Sequence, residues 1–574
     1  MAAEEADQDE SVASKSPVVK FRSVVMKKNA LTNAVIAGIA GVAGIASVAN
    51  AVNLNPDGLG QVLIYPYYTV NGGNQTLVSI VNTTEHGKAV KVRFVEGRNS
   101  REVLDFNLYL SPYDVWTGGV FSITATGPAN LTTNDNSCTV PAIKTNTTLP
   151  INNGLRYVAF RNFQYNNLVA FGGSNFNDAG PNGLDRTREG HLEVIEMGIV
   201  LNAANGYAEG SLAAITHDGL GIPDNCPQVV TAWTNSSSAA DYWSESNGAA
   251  DVVAPTVENG GGGLFGAAAI VDFANGTQLT YAPDAIDGFT VTRLHRAPGT
   301  TQPSLADANF PTSSGADATV FDNGSLVQTS HSPANAIDAV SAVYMHDAIF
   351  NEYAVLKDST GTPILASEWV VTFPTKNRYV DKPSPAIVPF QNVFAGSPDG
   401  AGKAPVDIRL AVYNREEDDG SSDCLDGGED GCVDFSPTLP GTITTPQLYW
   451  EAQVVTFDQP SGFDATFAIT GETLVLGSKL AANVPVGDYG FTEGWMKMRF
   501  WDDSAAPMNL HLSRPDANGT RYTGMPVTGF WAENTQTTSV LANFAGIWRH
   551  KASRCVVPSG ATAAIACPTT PVAP

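Results

Sequence analysis

Hydrophobic and polar residues alternate along residues 60–123, and this period of two predicts β-strands, whose successive side chains point to opposite faces. Four strands are predicted, in the segments GQVLIYPYYTV, QTLVSIVNTT, KAVKVRFVEG and REVLDFNLYLSPYDVWTGGVFSI. In the third segment, Val90 and Val92 alternate with Lys91 and Arg93. We therefore expect consecutive strands of one sheet with an apolar face and a face exposed to water, joined by turns at short Gly, Asn and Thr groups.

The same alternation returns further along the chain. Strands are predicted in LRYVAFRNF, GHLEVIEMGIVL, AAAIVDFANGTQLTY, SEWVVTFPTK, APVDIRLAVYN, LYWEAQVVTF, GWMKMRFW and MPVTGFWAEN. One segment, PANAIDAVSAVYMHDAIFNEYAVL, predicts a helix instead, because Ile337, Val340 and Tyr344 recur at helical spacing after the start signal Ser332-Pro333. The fold class is therefore predicted to be mainly β, with antiparallel, immunoglobulin-like β-sandwich domains and a few short helices.

The first 51 residues follow a different pattern. Residues 1–25 show no periodic apolar positions and are predicted to be a disordered extension or a misassigned start. From Met26, two lysines precede an apolar run rich in Ala and Gly that ends in the small residues Ala49 and Ala51. This pattern is typical of a signal peptide, which we place at residues 26–51.

Cleavage after residue 51 would leave 523 residues, which is 574 minus 51. This length exceeds one ordinary domain and predicts two. We expect an N-terminal β-sandwich domain with long loops at residues 52–330 and a C-terminal β-sandwich domain with a leading helix at residues 331–574. No later segment has the roughly 20 apolar residues that a membrane-spanning helix needs, so we expect no membrane span after signal removal.

Charge excludes one class of partner. The chain has 32 basic and 57 acidic residues, which gives a net charge of −25. Such a surface repels the phosphate backbone of nucleic acids, so nucleic-acid binding is not expected. The same surface favours divalent cations or simple solubility.

Cysteines indicate an oxidising compartment. The six are Cys138, Cys226, Cys424, Cys432, Cys555 and Cys567. An even number in an exported chain predicts three disulfides, for which fifteen pairings exist. The shortest loops join Cys424 to Cys432 and Cys555 to Cys567, which leaves Cys138 for Cys226.

Local motifs for catalysis are missing from the sequence, which has no H-E-x-x-H, G-x-S-x-G or G-x-x-x-x-G-K-[ST]. Gly261, Gly263 and Gly266 fit G-x-G-x-x-G, but a strand-like run follows them where a nucleotide site needs a helix, so we predict a flexible loop. The eight histidines lie singly. We predict no catalytic residue and no organic cofactor. The aromatic residues of Tyr65–Tyr68 and Trp495–Trp501 are interpreted as strand packing, with a ligand platform as the alternative.

An acidic stretch, REEDDGSSDCLDGGEDGCVD, predicts a calcium site, because Ca²⁺ takes six to eight oxygen ligands from such glycine-bearing loops. The candidate ligands are Asp418, Asp419, Asp423, Asp426, Glu429, Asp430 and Asp434. Their spacing is not that of an EF-hand. The alternative is a solvated acidic surface loop without a metal.

Several strings resemble one group of proteins. NLNPDGLGQVLIYPYYTV, VKVRFVEGRNS, VLDFNLYLSPYDVWTG, GHLEVIEMG, GGGLFGAAAIV and WVVTFPTK are similar to exported proteobacterial proteins regarded as surface-layer-like. The resemblance runs from about Asn53 to about Trp548 and implies a protein of the bacterial envelope. It transfers no catalytic or ligand residue, and the residues before Met26 depart from the usual start of the group.

We therefore expect a non-enzymatic structural protein of the bacterial cell surface that associates with copies of itself and with envelope glycans. Its expected location is the cell surface or the extracellular space, with the periplasm as the alternative. Two other functions stay open, a secreted adhesin or glycan-binding module and a β-rich secreted hydrolase. Aromatic residues clustered with paired carboxylates in one cleft would favour the hydrolase, because glycosidases use two carboxyl groups.

Overall fold

A computed structural model gives the fold of the chain. It describes residues 51–166, 178, 180–202, 212–234, 243, 257–309, 315–322, 324–361, 363–381, 386–394, 402–416, 447–459, 471–500, 511–536 and 543–567. The predicted N-terminal extension and all of the predicted signal peptide except Ala51 lie outside these residues and stay predictions.

Two antiparallel sheets come from the N-terminal half. Their strands are β1 (Asn53–Leu54), β2 (Val62–Thr69), β3 (Asn74–Asn82), β4 (Gly87–Glu96), β5 (Glu102–Leu110), β6 (Val115–Ser122), β7 (Ala129–Thr132), β8 (Cys138–Val140), β9 (Ile151–Asn152), β10 (Leu155–Ala159), β11 (Glu189–Val200), β12 (Val257–Glu258), β13 (Leu264–Asp272), β14 (Thr277–Tyr281) and β15 (Asp284–Asp287). Sheet A has the order β1-β15-β2-β11-β4-β5-β8, with β12 also on β11, and sheet B has the order β14-β13-β3-β6-β7-β10-β9.

Sheets A and B enclose an apolar core, which confirms the predicted apolar faces. Val90, Val92 and Phe94 of β4 meet Val78 and Ile80 of β3 in this core, and all five side chains are buried. Every second side chain of β4 points into this core, because successive side chains of a strand point to opposite faces.

The prediction of four consecutive strands in one sheet is wrong in two respects. The fourth segment forms two strands, β5 and β6, because Tyr113 lies at a left-handed φ of 59° in the turn between them. The strands are also divided between layers, since β2, β4 and β5 belong to sheet A whereas β3 and β6 belong to sheet B. Gly72 and Gly73, with φ of 60° and 83°, form the turn between β2 and β3.

Strands of the C-terminal half form a second pair of larger sheets and three two-stranded sheets. They are β16 (Ala316–Asp322), β17 (Ser325–His331), β18 (Met345–His346), β19 (Ala348–Ala354), β20 (Leu356–Lys357), β21 (Pro363–Thr372), β22 (Val406–Asn414), β23 (Gln447–Leu448), β24 (Ala452–Phe457), β25 (Ala481–Val484), β26 (Glu493–Phe500), β27 (Arg521–Tyr522), β28 (Met525–Pro526), β29 (Thr528–Thr535), β30 (Phe544–Arg549), β31 (Lys551–Ser553) and β32 (Val556–Val557). Sheet C has the order β23-β22-β26-β19-β31, and sheet D has the order β25-β24-β21-β29-β30, with β20 also on β21. The fold is mainly β, as predicted.

The helices of the described residues are short. They are α1 (Leu212–Ile215), α2 (Cys226–Thr234), α3 (Ile337–Tyr344), α4 (Asn377–Val380) and α5 (Ala563–Ala566), with 3-10 turns at Leu184–Arg188, Leu305–Asp307, Pro333–Asn335 and Val486–Tyr489. None of them is long and apolar enough to cross a membrane. The predicted helix is confirmed at α3 and wrong beyond Tyr344, where β18 and β19 follow. Residues 348–354 pair along their length with β26, and this ladder outweighs the local helical spacing.

The face of sheet A that the sequence predicts to be exposed to water is instead buried. Arg93 donates to Glu102 at 2.8 Å and to Glu193 at 2.7 Å, and Lys91 donates to Asp105. The chain after β15 covers this face. The Lys91 ammonium accordingly also donates to the carbonyl of Ala297 at 3.5 Å. The charges are tolerated because each finds a partner inside the protein.

One apolar cluster joins the two pairs of sheets. It contains Val62 and Ile64 from sheet A, Met496 from sheet C and Trp369 from sheet D, all of them buried. Residues 50–574 accordingly form one compact unit. The domain boundary between residues 330 and 331 stays a prediction.

Two of the three predicted disulfides are confirmed. Cys138 bonds Cys226, and Cys555 bonds Cys567. Both are compatible with an exported protein. The predicted pair Cys424 and Cys432 lies outside the described residues.

Ala51 and Val52 form part of the folded structure. The backbone N–H of Val52 donates to the Asp317 carbonyl at 2.8 Å, and the side-chain amide of Asn53 donates to the Ala51 carbonyl at 3.0 Å. Both residues are 1% exposed. Cleavage after Ala51 would place a charged amino group at Val52 in this buried position, where such a group is costly.

We therefore expect the exported protein to retain Ala51 and to start at Asn50, since Ser47 and Ala49 also supply the small residues that signal cleavage needs. Mass spectrometry of the exported protein measures the first residue. Ala49→Leu should block processing after Ala49. A chain that starts at Val52 would contradict the expectation.

Candidate functional site

A cleft of about 1310 Å³ lies where one end of sheet C meets sheet D. Strands β19, β22 and β26 of sheet C contribute Glu352, Tyr413 and Trp495 to it, whereas β29 and β30 of sheet D contribute Trp531 and Trp548. Clefts of this kind, with aromatic walls and a few polar groups, are the usual form of ligand sites.

Two stacked aromatic pairs line the cleft. Trp495 stacks on Tyr413 with ring centroids 4.4 Å apart, and Trp548 stacks on Trp531 with centroids 4.3 Å apart. The two residues of each pair lie directly opposite each other on adjacent antiparallel strands, which places both rings on one face of the sheet. Ser367 fixes the inner ring of the second pair by accepting from the indole N–H of Trp531 at 3.0 Å.

Trp495 and Trp548, which we call the outer tryptophans of the two pairs, are exposed to solvent. Trp495 has 40% of its surface exposed and Trp548 has 46%, whereas Trp531 has only 7%. Burying a tryptophan is strongly favourable in water, so two exposed ones in one cleft indicate a binding surface.

Three carboxylates share the cleft with the rings: Glu352, Glu493 and Glu533. Glu493 pairs with Arg415 at 2.6 Å on the rim. Glu352 is exposed and lies opposite Trp495 in the β19–β26 ladder. Burial, and then the negative charge of Glu352, raise the pKa of the Glu533 carboxyl.

This arrangement suits a ligand with hydroxyl groups and apolar ring faces. The exposed ring faces of Trp495 and Trp548 can stack on flat apolar groups. The carboxyl oxygens of Glu352 and Glu533 can accept hydrogen bonds from hydroxyl groups.

None of the predicted calcium ligands belongs to the described residues. The calcium site therefore stays a prediction for Asp418, Asp419, Asp423, Asp426, Glu429, Asp430 and Asp434. Strand β22 ends at Asn414 on the rim of the cleft, and Arg415 and Glu416 are the only described residues of the acidic stretch. Within the described part of the chain, no group of three or more potential metal ligands is found.

The glycine-rich segment binds a side chain of the protein itself. The N–H groups of Gly261 and Gly262 donate to the Glu196 carboxylate at 3.1 and 2.7 Å. Glu196 in turn accepts from the buried ammonium of Lys88 at 2.6 Å. A carboxylate thus occupies the backbone donors that a phosphate would need.

Sequence reasoning identified one wall of the cleft and missed the others. It named Trp495 but interpreted its strand as packing, and Tyr65, Tyr67 and Tyr68 are indeed fully buried in the sandwich. Glu352, Glu533 and Trp548 were missed. The outward position of Trp548 in an alternating strand was the one available signal, because nothing local relates these three residues to one another.

No family model matches the chain, and no curated protein matches it either.

Proposed function

We propose that this protein is an exported, surface-layer-like protein of the bacterial envelope that binds glycans non-enzymatically in the cleft between sheets C and D. The observation that carries the proposal is the pair of exposed tryptophans, Trp495 and Trp548, in one cleft with Glu352 and Glu533. Self-association and calcium binding remain part of the proposed role at the cell surface.

Sugars fit this cleft better than other common ligands do. A pyranose has apolar C–H faces for the tryptophan rings and hydroxyl groups for the carboxylates. Anionic ligands such as phosphates are less suited, because the three basic lining residues, Arg415, Arg549 and Lys551, only balance the three carboxylates, in a chain with a net charge of −25.

A hydrolase is the second candidate, and one observation favours it. Burial raises the pKa of Glu533, which shares the cleft with a second carboxyl group, Glu352, and glycosidases use two carboxyl groups of which one acts as the proton donor. Binding is the stronger proposal, because Glu352 is exposed to water and stacking needs no protonated group.

Removing both outer rings should abolish most of the glycan binding. We expect Trp495→Ala with Trp548→Ala to weaken binding of soluble envelope oligosaccharides by about 5- to 150-fold, since each ring contact is worth about 0.5–1.5 kcal/mol. Isothermal titration calorimetry measures the change. Phe321→Ala is the matched control, because Phe321 is 67% exposed on strand β16 and does not line the cleft. Equal affinity of the wild type and the double variant would contradict the proposal.

The same oligosaccharides separate binding from hydrolysis. The wild type should leave them intact over long incubation, and Glu533→Gln should still bind them, because an amide oxygen also accepts hydrogen bonds. Release of new reducing ends by the wild type, lost in Glu533→Gln, would replace the non-enzymatic proposal with the hydrolase.

A further inference from the structure

The strands of sheet B place no charged side chain at the centre of its outer face, which points away from the core, and the Asp135 carboxylate accepts from the backbone N–H of Thr117 at 3.1 Å at its edge. One row of directly opposite residues crosses the outer face at Ala269, Leu77, Gly119 and Thr132, and the next row crosses it at Ala267, Ser79 and Thr117. We call these seven residues the uncharged face. Leu77 at its centre is 42% exposed.

A shallow hollow of about 560 Å³ lies on this face, and none of its 15 lining residues is Asp, Glu, Lys or Arg. The chain as a whole is 16% charged, which would place about two charged residues among fifteen. The surrounding chain has a net charge of −25. An uncharged surface of this size on such an acidic protein calls for a physical reason.

We infer that the uncharged face is the surface on which a second copy of this chain docks, face to face around a two-fold axis. Two copies that each have a charge of −25 repel each other wherever their acidic surfaces meet. The repulsion is weakest where neither copy has a charge. The cores of homodimer interfaces are depleted of charged residues for the same reason.

The next row of the same sheet adds larger apolar side chains. Phe265, Val81 and Val115 are directly opposite one another there. Phe265 is 40% exposed and Val115 is 45% exposed. Exposed apolar side chains that become buried on docking supply the favourable free energy of association.

The area of the face approaches that of a standard dimer interface. Strands β13, β3, β6, β7 and β10 have 9, 9, 8, 4 and 5 residues. At about 3.3 Å per residue and about 4.8 Å between strands, they cover about 550 Å² of flat area, against the roughly 800 Å² that each partner buries in a standard interface. This inference rests on the self-association in the proposed function but not on glycan binding, since the cleft belongs to sheets C and D, so a failure of dimerisation leaves the glycan proposal standing.

Sedimentation velocity of the purified protein at concentrations from about 1 to 100 µM tests the inference. The wild type should form a dimer. Leu77→Glu with Ala267→Glu should raise the dissociation constant at least about 100-fold, because the symmetric interface would bring four new carboxylates together. The matched control is Leu326→Glu, an exposed leucine on β17, which should dimerise as the wild type does.

Mixing provides a second measurement that a folding defect cannot imitate. The variant with Leu77→Lys and Ala267→Lys should also be monomeric alone but should associate with the glutamate variant, since opposite charges then meet across the interface. Circular dichroism should give the wild-type fold for each variant. A wild type that stays monomeric at every concentration, or a glutamate variant that dimerises with wild-type affinity, would overturn the inference.

Discussion

Replacing Arg186 with methionine is expected to lower the free energy of unfolding by about 3–5 kcal/mol, because the buried Glu96 carboxylate would lose its counter-charge and Asp178 would keep only Arg101, at 3.6 Å. The Arg186 guanidinium donates to Glu96 at 2.6 and 2.8 Å and to Asp178 at 3.0 Å. Both carboxylates are fully buried. Burial, the largest single effect, would raise the pKa of Asp178, but the hydrogen bonds and charge of Arg186, the charge of Arg101 and the N–H of Gly180 together outweigh it, and the pKa is lowered.

Glu96 also fixes the turn after β4. It accepts the backbone N–H groups of Arg98 at 2.8 Å and of Asn99 at 3.0 Å. The backbone of Gly97 then accepts from the N–H groups of Glu451 and Ala452 in the C-terminal half. The loss of Arg186 should therefore weaken the contact between the two halves as well as the turn.

Urea denaturation followed by tryptophan fluorescence measures the effect. Arg415→Met is the matched control, because the Arg415–Glu493 pair is exposed to water and should cost less than about 1 kcal/mol. Adding Glu96→Gln and Asp178→Asn to the Arg186 variant should recover part of the loss, since no buried charge then remains unpaired. A loss below about 1 kcal/mol for Arg186→Met would contradict the expectation.

Removing the Cys138–Cys226 disulfide should cost more than removing Cys555–Cys567. The first closes a loop with a sequence separation of 88 residues and the second a loop with a separation of 12. In the chain-entropy model these lengths correspond to about 4–5 and about 3 kcal/mol. The first bond also links helix α2, which begins at Cys226, to strand β8, which begins at Cys138.

Double substitutions to alanine at each pair, compared by chemical denaturation, measure the two costs. The Cys138→Ala and Cys226→Ala variant should unfold at the lower denaturant concentration. Equal midpoints for the two variants, or the reverse order, would contradict the loop-length argument.

The sequence by itself determined the class of the fold and most of its strands. Alternation at Val90, Val92 and Phe94 predicted a half-apolar strand because the geometry of a strand is local, and β4 has this form. The even number of cysteines and the lengths of the loops between them predicted the two disulfides that the structure shows. The helix was predicted correctly as far as Tyr344, after which pairing with β26 outweighed local spacing.

The tertiary structure alone decided which charged residues are buried and which aromatic residues are exposed. Glu96 and Arg186 are 90 residues apart in the chain, and no local pattern distinguishes their buried pair from ordinary surface charges. Lys91 and Arg93 are buried because distant segments cover their face of sheet A. The cleft likewise needs both sheets, since Trp495 and Trp548 come together only when sheets C and D pack. Strand formation depends on neighbouring residues, whereas burial and site geometry depend on contacts between residues far apart in the chain.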